Sequence, residues 1–497
     1  ALVIGGMIYY YRFAGLVASA AVFFNLIIMW ATLQNLNAAL TLAGIAGIIL
    51  TVGMAVDANV LVFERTREEF AISGRISSAI QNGYKKAFSA IFDANITTII
   101  AALILLHFDS GPIKGFAVTL IIGIVSSMFT ALFMTKFFFN KWTQNPKNTK
   151  LNMLHLVKSA NFNFLKYGKY MFIGSVLIIL IGGFMLVQQR KSVFGMDFTG
   201  GFSLNVEVQK MNTNDYRSKI EAALIKNGAG PQDFNIRELN PSNNLRILLG
   251  TSMDQKGKPF YQMPIDIKIV EKQYNYQTNP RIVWVINALE SQGIKATQRS
   301  LEKLDQNWTL MSGQMSDSMR NNAVWGLSLA LIALLIYITF RFEFKFAMSA
   351  MLCIFHDVLI TIAFIPILSL IGIPIQIDLN TVAALMTIIG FSLNDTIVIF
   401  DRIREDIQHM RKHTFPEIIN HSINITLSRT IITSGTVMLA LLGLVFLGGS
   451  TIFGFSLVMT IGVIFGTLSS IFIASPLMLL FHKMQLKKEL DLSKQEK

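Results

Sequence analysis

The chain has 497 residues, 52% of them hydrophobic and 15% charged, with a formal net charge of +13. Soluble domains carry about 25% charged residues, so this composition excludes a protein wholly dissolved in water and points to a multi-span membrane protein. A single cysteine, Cys353, excludes an internal disulfide.

In chain order, the opening stretch up to Tyr11 is apolar but short, begins at Ala1 and lacks a basic n-region. It reads as the rear half of a truncated helix and not as a signal peptide. Apolar runs near the roughly 20 residues that a spanning helix needs follow at about 16 to 34, 40 to 63, 88 to 106, 115 to 139 and 170 to 189. Five more lie at about 323 to 340, 346 to 371, 380 to 400, 430 to 447 and 454 to 481, which makes about ten complete spans. Basic residues collect in alternate loops: Arg65, Arg67, Arg75, Lys85 and Lys86, then Lys141, Lys147, Lys150, Lys158, Lys166 and Lys169, then Arg402, Arg404, Arg411 and Lys412. The positive-inside rule makes these loops cytoplasmic and puts the poorly charged connectors at 34 to 39 and 371 to 380 outside, together with the segment from about 190 to 320.

That outside segment alternates strand and helix patterns. Strands are expected at 202 to 208, 234 to 239, 245 to 250 and 294 to 301, with helices over about 215 to 226 and 281 to 289. The order is βαββαβ, a ferredoxin-like α+β domain, with a polar loop inserted between Thr251 and Pro280. No GxxxxGK[ST] motif is present, and the glycines near 195 to 201 precede a strand, so no nucleotide or other cofactor is expected.

GMAVDANVLVFERTREE at 53 to 69 matches GFSLNDTIVIFDRIRED at 390 to 406, aligning Gly53 with Gly390, Phe63 with Phe400, Arg65 with Arg402 and Arg67 with Arg404. Gly115 and Gly123 face Gly454 and Gly462 further on, so the chain is built from two related helical halves. Asp57 aligns with Asn394, one residue short of Asp395, and the two acidic groups are related without being equivalent. An ionisable residue at mid-span costs about 2.5 to 3.5 kcal/mol on insertion scales, so each needs a partner or a function. Asp57, Asp395 and Arg429 stand out. Counted from outer helix ends near 40, 380 and 447, they lie about 17, 15 and 18 residues deep, a spread of roughly 4.5 Å at about 1.5 Å per residue. They can meet in one layer and serve a proton pathway, against the simpler alternative of an ion pair that locks two helices. Asp93 and Asp357, with Asn95, Thr97 and His356 nearby, could extend a hydrogen-bonded chain or be plain polar contacts. His356 and Asp357, adjacent on a helix, are expected to point to different spots, and no His or Cys set suggests a metal site. No residue is assigned as catalytic.

At this point the motifs resemble a known family. GMAVDANVLVFER resembles a transmembrane helix of SecD; GFSLNDTIVIFDRIRE, TLSRTIITS, MDFTGG at 196 to 201 and FHDVLIT at 355 to 361 resemble SecF. The resemblance to the SecD/SecF protein-export family covers nearly the whole chain, lacking the first SecD helix and the large exported SecD domain. It implies the helical fold shared with resistance-nodulation-division exporters, a place in the bacterial inner membrane, and drive by the proton motive force. It also implies the Sec translocon channel with its accessory membrane subunits and the translocating preprotein as partners, with no nucleic acid and no enzymatic activity. Asp57, Asp395 and Arg429 become the implied proton-relay residues. The expected division is a SecD-like half at 1 to 139, a cytoplasmic linker at 140 to 169, the first SecF-like helix at 170 to 189, the exported domain at 190 to 320, the SecF-like half at 321 to 482 and a cytoplasmic tail at 483 to 497. Two other functions share the buried charges. An exporter of small molecules or lipids would want a larger substrate pocket outside, and an intramembrane aspartyl protease would want a GxGD motif and no arginine beside its carboxylates.

Overall fold

The computed structural model describes residues 2–38, 41–108, 111–148, 151–154, 162–189, 193–210, 216–231, 233–238, 243–264, 276–311, 313–373 and 375–495. The chain divides into two compact units, one of residues 1–183, 325–364 and 380–497 and the other of 184–324 and 365–379.

The larger unit is helical. Among the described residues of the chain, 10 helices are long and apolar enough to cross a membrane. Several are longer than their apolar runs. The helix expected from about 88 spans Ile76–Leu105, the one expected from about 430 spans Phe415–Leu447, and the two repeat motifs lie inside Leu42–Ser73 and Leu379–His409. Arg65, Arg67, Lys85, Lys86, Arg402 and Arg404 are therefore helical and not in loops. Hydropathy marks where lipid-compatible side chains stop, whereas backbone hydrogen bonding carries a helix on into the aqueous layer. Leu379–His409 is the most enclosed span, with 94% of its apolar window buried, against 11% for Phe164–Gln188. This explains how the former can carry polar groups along its length.

The repeat is visible in the packing. Gly53 lies against Val437 of Phe415–Leu447, and its equivalent Gly390 lies against Thr98 of Ile76–Leu105, so at each of these glycines a central helix closely approaches a helix of the other half. Gly123 packs on Thr51 and its equivalent Gly462 on Ile388, which are themselves matched positions. Both halves end alike: each last span widens into a five-residue π-helical turn, at Thr130–Met134 and at Ser470–Ala474.

The smaller unit is an α+β domain. Strands β1 (Gly201–Glu207), β2 (Phe234–Glu238), β3 (Asn244–Gly250) and β4 (Trp308–Met311) form an antiparallel sheet in the order β2-β3-β1-β4, the ferredoxin-like order. Phe202, Leu204 and Val206 alternate inward from β1 and join Ile247 and Leu249 of β3 in a core with Ile220 and Leu224 of helix Tyr216–Lys226 and Ile282 and Val285 of helix Pro280–Glu290. The fourth strand corrects the sequence expectation. Residues 294 to 301 make only an isolated bridge, Ala296 with Val208, before Thr297 caps a short helix, Gln298–Leu301; pairing with β1 resumes at Trp308. The threonine cap satisfies the Ser300 N–H locally and turns the chain out of the sheet. The insertion between Thr251 and Pro280 carries short 3-10 turns at Thr251–Asp254 and Tyr276–Thr278, and residues 265–275 lie outside the described residues.

Candidate functional site

Asp57 sits midway along Leu42–Ser73, where the apolar run holds it among packed helices. The Arg429 Nη2 donates to Asp57 Oδ1 at 3.1 Å, and Asn394 donates its amide to the other carboxylate oxygen. Asp57 therefore touches its own repeat partner. Asp395, the next residue, turns to another side of its helix: it is 2% exposed and accepts from the Ser434 hydroxyl at 3.2 Å, which in turn exchanges a hydrogen bond with Thr467 at 2.7 Å. Arg429 and Asp57 both remain within electrostatic reach of Asp395. Arg429 comes from the same helix as Ser434 and is 4% exposed, yet among the described residues its Nε and Nη1 have no hydrogen-bond partner. A buried guanidinium so incompletely bonded is expensive to keep, and it leaves donors available for a different arrangement.

Of the further residues singled out in the sequence, only Asn95 adjoins this layer. It lines a small cavity with Asp57, Thr98, Asn394 and Arg429, while its own amide donates to the Ile91 carbonyl at 2.7 Å. Thr97 spends its hydroxyl on the Ala94 carbonyl. Asp93 is an ion-pair partner, held by Arg341 Nε at 2.7 Å and by the Tyr337 hydroxyl at 2.9 Å. Asp357 accepts from Ser392 and, at 2.8 Å, from Ser469, and His356 Nδ1 lies 3.0 Å from its other oxygen. Adjacent residues thus do share a spot, contrary to the expectation, with the imidazole reaching its neighbour's carboxylate. Among the described residues, neither Asp93 nor Asp357 reaches Asp57, Asp395 or Arg429 by a hydrogen bond or ion pair. Cys353 is buried. No group of three or more His, Cys, Asp or Glu side chains is placed to hold a metal among the described residues.

Below this layer, toward the basic ends of the helices, the repeat produces a reciprocal pair. Arg65 donates to Glu405, and its equivalent Arg402 donates to Glu68, the equivalent of Glu405, at 2.8 Å. Lys86 joins the cluster through Glu69 at 2.6 Å and Glu405 at 3.8 Å. The motif alignment already placed these residues in register. Nothing in the sequence signalled Ser434, Thr467 or Arg341, because hydroxyls and a span-end arginine are unremarkable in a membrane helix.

An internally repeated helical membrane protein, with unlike charges enclosed where its halves meet and an appended α+β domain, is the class that fold and site define. Residues 1–145 and 292–484 match the family model described as protein export membrane protein SecD/SecF, C-terminal. The chain is 34% identical over 496 residues to the protein translocase subunit SecDF of Brucella abortus, covering 97% of this chain and 59% of that one. It is 32% identical over 327 residues to the protein translocase subunit SecF of Rhodothermus marinus, covering 66% of this chain and 95% of that one. The crystal structure of SecDF from Thermus thermophilus, described as a translocon-associated membrane protein, superposes with a TM-score of 0.77 at 30% identity over 97% of this chain and 61% of that one. The chain belongs to the SecD/SecF family of protein export membrane proteins. It is a multi-pass protein of the bacterial inner membrane with a periplasmic α+β domain, and it spans about three fifths of the SecDF relatives it matches.

Proposed function

We propose that the chain is a proton-motive-force-driven accessory subunit of the Sec machinery, assisting export of preproteins across the inner membrane, with Asp57, Asp395 and Arg429 as its proton relay. Family membership supports the pathway. The observation that carries the relay is a single buried arginine bonded to one carboxylate, within electrostatic reach of a second, and holding two unsatisfied donors. A carboxylate that gains a guanidinium in a poor dielectric is held ionised, and one that loses it takes up a proton. Exchange of Arg429 between Asp57 and Asp395 would convert helix movement into proton binding and release. One charge crossing 100 mV gains about 2.3 kcal/mol, so a few protons per cycle suffice to bias such a two-state movement.

In this reading residues 1–139 form the SecD-like half and 321–482 the SecF-like half, joined through a cytoplasmic linker and the helix after it. The partners are the Sec channel, its accessory membrane subunits and the preprotein, and no bond chemistry is assigned to the chain itself. The test is late-stage export into inverted membrane vesicles with and without a proton gradient. Asp395→Asn and Arg429→Met, inserted at normal abundance, are expected to abolish the gradient-dependent stimulation. Retained stimulation in both variants would reduce the three residues to a helix lock.

A further inference from the structure

Arg429 and Leu61 line two cavities, the small one beside Asp57 and a second one on the cytoplasmic side of the layer. Their volumes, about 20 and 60 Å³, exceed the roughly 10 to 15 Å³ that one water needs, and polar walls give water partners. The second cavity is walled by the reciprocal cluster, including Arg65, Glu68, Lys86, Arg402 and Glu405. Those charged groups are all engaged with one another. Asp401 also lines this cavity, and it alone of the wall's acidic side chains takes part in no hydrogen bond or ion pair among the described residues.

The repeat makes that freedom meaningful. Asp401 is the counterpart of Glu64, and Glu64 is paired with Arg67 and accepts from the Tyr11 hydroxyl at 2.8 Å. Arg404, the counterpart of Arg67, is exposed instead. Both acidic groups line the second cavity together with the arginine of the relay, but one half holds its group in bonds and the other leaves the equivalent group unbonded among the described residues. The charged groups around Asp401 are Arg65 from Leu42–Ser73, Asp93 from Ile76–Leu105, Arg341 from Gly313–Arg341 and Glu405 on its own helix. Glu64, Glu68, Lys86, Arg402 and Arg429 share its cavity.

We infer that Asp401 is a further proton-carrying residue, the group through which the central relay exchanges protons with the cytoplasmic side. The proton released when Arg429 pairs with a carboxylate of the layer passes through water in the cavity to the Asp401 carboxylate. Asp401 then returns it to cytoplasmic water and regains its negative charge. The bond broken is the O–H of the central carboxyl, and the bond formed is the O–H of Asp401. This rests on the relay reading above.

The experiment is proton uptake by proteoliposomes holding the purified chain, followed by an internal pH dye under an imposed gradient. Asp401→Asn is expected to lower the flux by about tenfold or more, consistent with loss of a positioned proton-transfer group, while Asp401→Glu restores it with a displaced pH profile. A purely structural aspartate would be replaced by Asn without loss of flux. If Asp401→Asn conducts like the parent chain while Asp395→Asn does not, this inference is overturned and the relay stands. If the parent chain itself conducts nothing, both are overturned. Should Asp401→Asn fail to accumulate, an unshifted pH profile in Asp401→Glu counts against the assignment.

Discussion

Arg65 and Arg402 are matched residues of the repeat, and each bonds the other half's matched glutamate. Removing one member of such a partly buried cluster strands its partner, so Arg65→Ala is expected to lower stability by about 1 to 3 kcal/mol. Thermal unfolding in detergent checks this, and the swapped pair Arg65→Glu with Glu405→Arg should recover most of the loss. A swap no better than the single variant would mean that the residues do not act as a pair. By contrast, Arg320 and Asp317, 52% and 59% exposed, form a surface pair whose loss should be hard to detect. At this scale the sequence was informative wherever charge contradicts lipid: Asp57, Asp395 and Arg429 were legible from cost alone. Asp93 was legible as a buried acid, but its partner Arg341 was not, because an arginine at a span end has water as an alternative.

Each central helix is fixed at two levels. In its middle, glycine lets the other half approach: a β-carbon on Gly390 would meet the Thr98 backbone, so Gly390→Val is expected to cost about 1 to 3 kcal/mol by overpacking. Gly443 has nothing within 4 Å of such a carbon, and Gly443→Ala should unfold no earlier than the parent chain. Equal melting of the two variants would contradict this packing. At its outer end, the helix Leu379–His409 begins where the Leu379 N–H donates to Asp197 Oδ2 at 3.2 Å, and Val193 and Gly195 bond the backbone of Ile377. Asp197 belongs to the MDFTGG motif, so the signature that opens the exported domain also caps the start of the helix bearing Asp395. Asp197→Ala should cost about 1 kcal/mol and speed hydrogen exchange in the first turn after Leu379, whereas Asp197→Asn keeps an acceptor and should restore protection. Unchanged exchange in the alanine variant would remove the cap from the account. Helix existence was legible from hydropathy, and helix ends were not, because the aqueous extensions of Ile76–Leu105 and Phe415–Leu447 carry no hydrophobic signal. The fourth strand was misplaced for a related reason. Residues 294 to 301 have strand-like alternation, but Thr297 diverts the chain into a helical turn before Trp308 resumes the pairing.

For the molecule as a whole, the repeat creates near-symmetry and the function proposed needs its failure. Asp57 faces Asn394 and not a second aspartate; Glu64 is held by Arg67 and Tyr11 while Asp401 is unbonded among the described residues; and among those residues one arginine, Arg429, serves the central layer. The one-residue offset between Asp57 and Asp395 was visible in the alignment, and it foretold that the two acids would differ. Their partners were not visible, since Ser434 and Thr467 acquire meaning only when the helices are assembled. Gradient-driven proton flux through the reconstituted chain, compared among the parent, Asp395→Asn and Arg429→Met, separates buried charges that move protons from charges that merely join helices. Flux is expected in the parent and is expected to be lost in both variants at equal protein content and fold. Equal flux in all three would contradict this expectation.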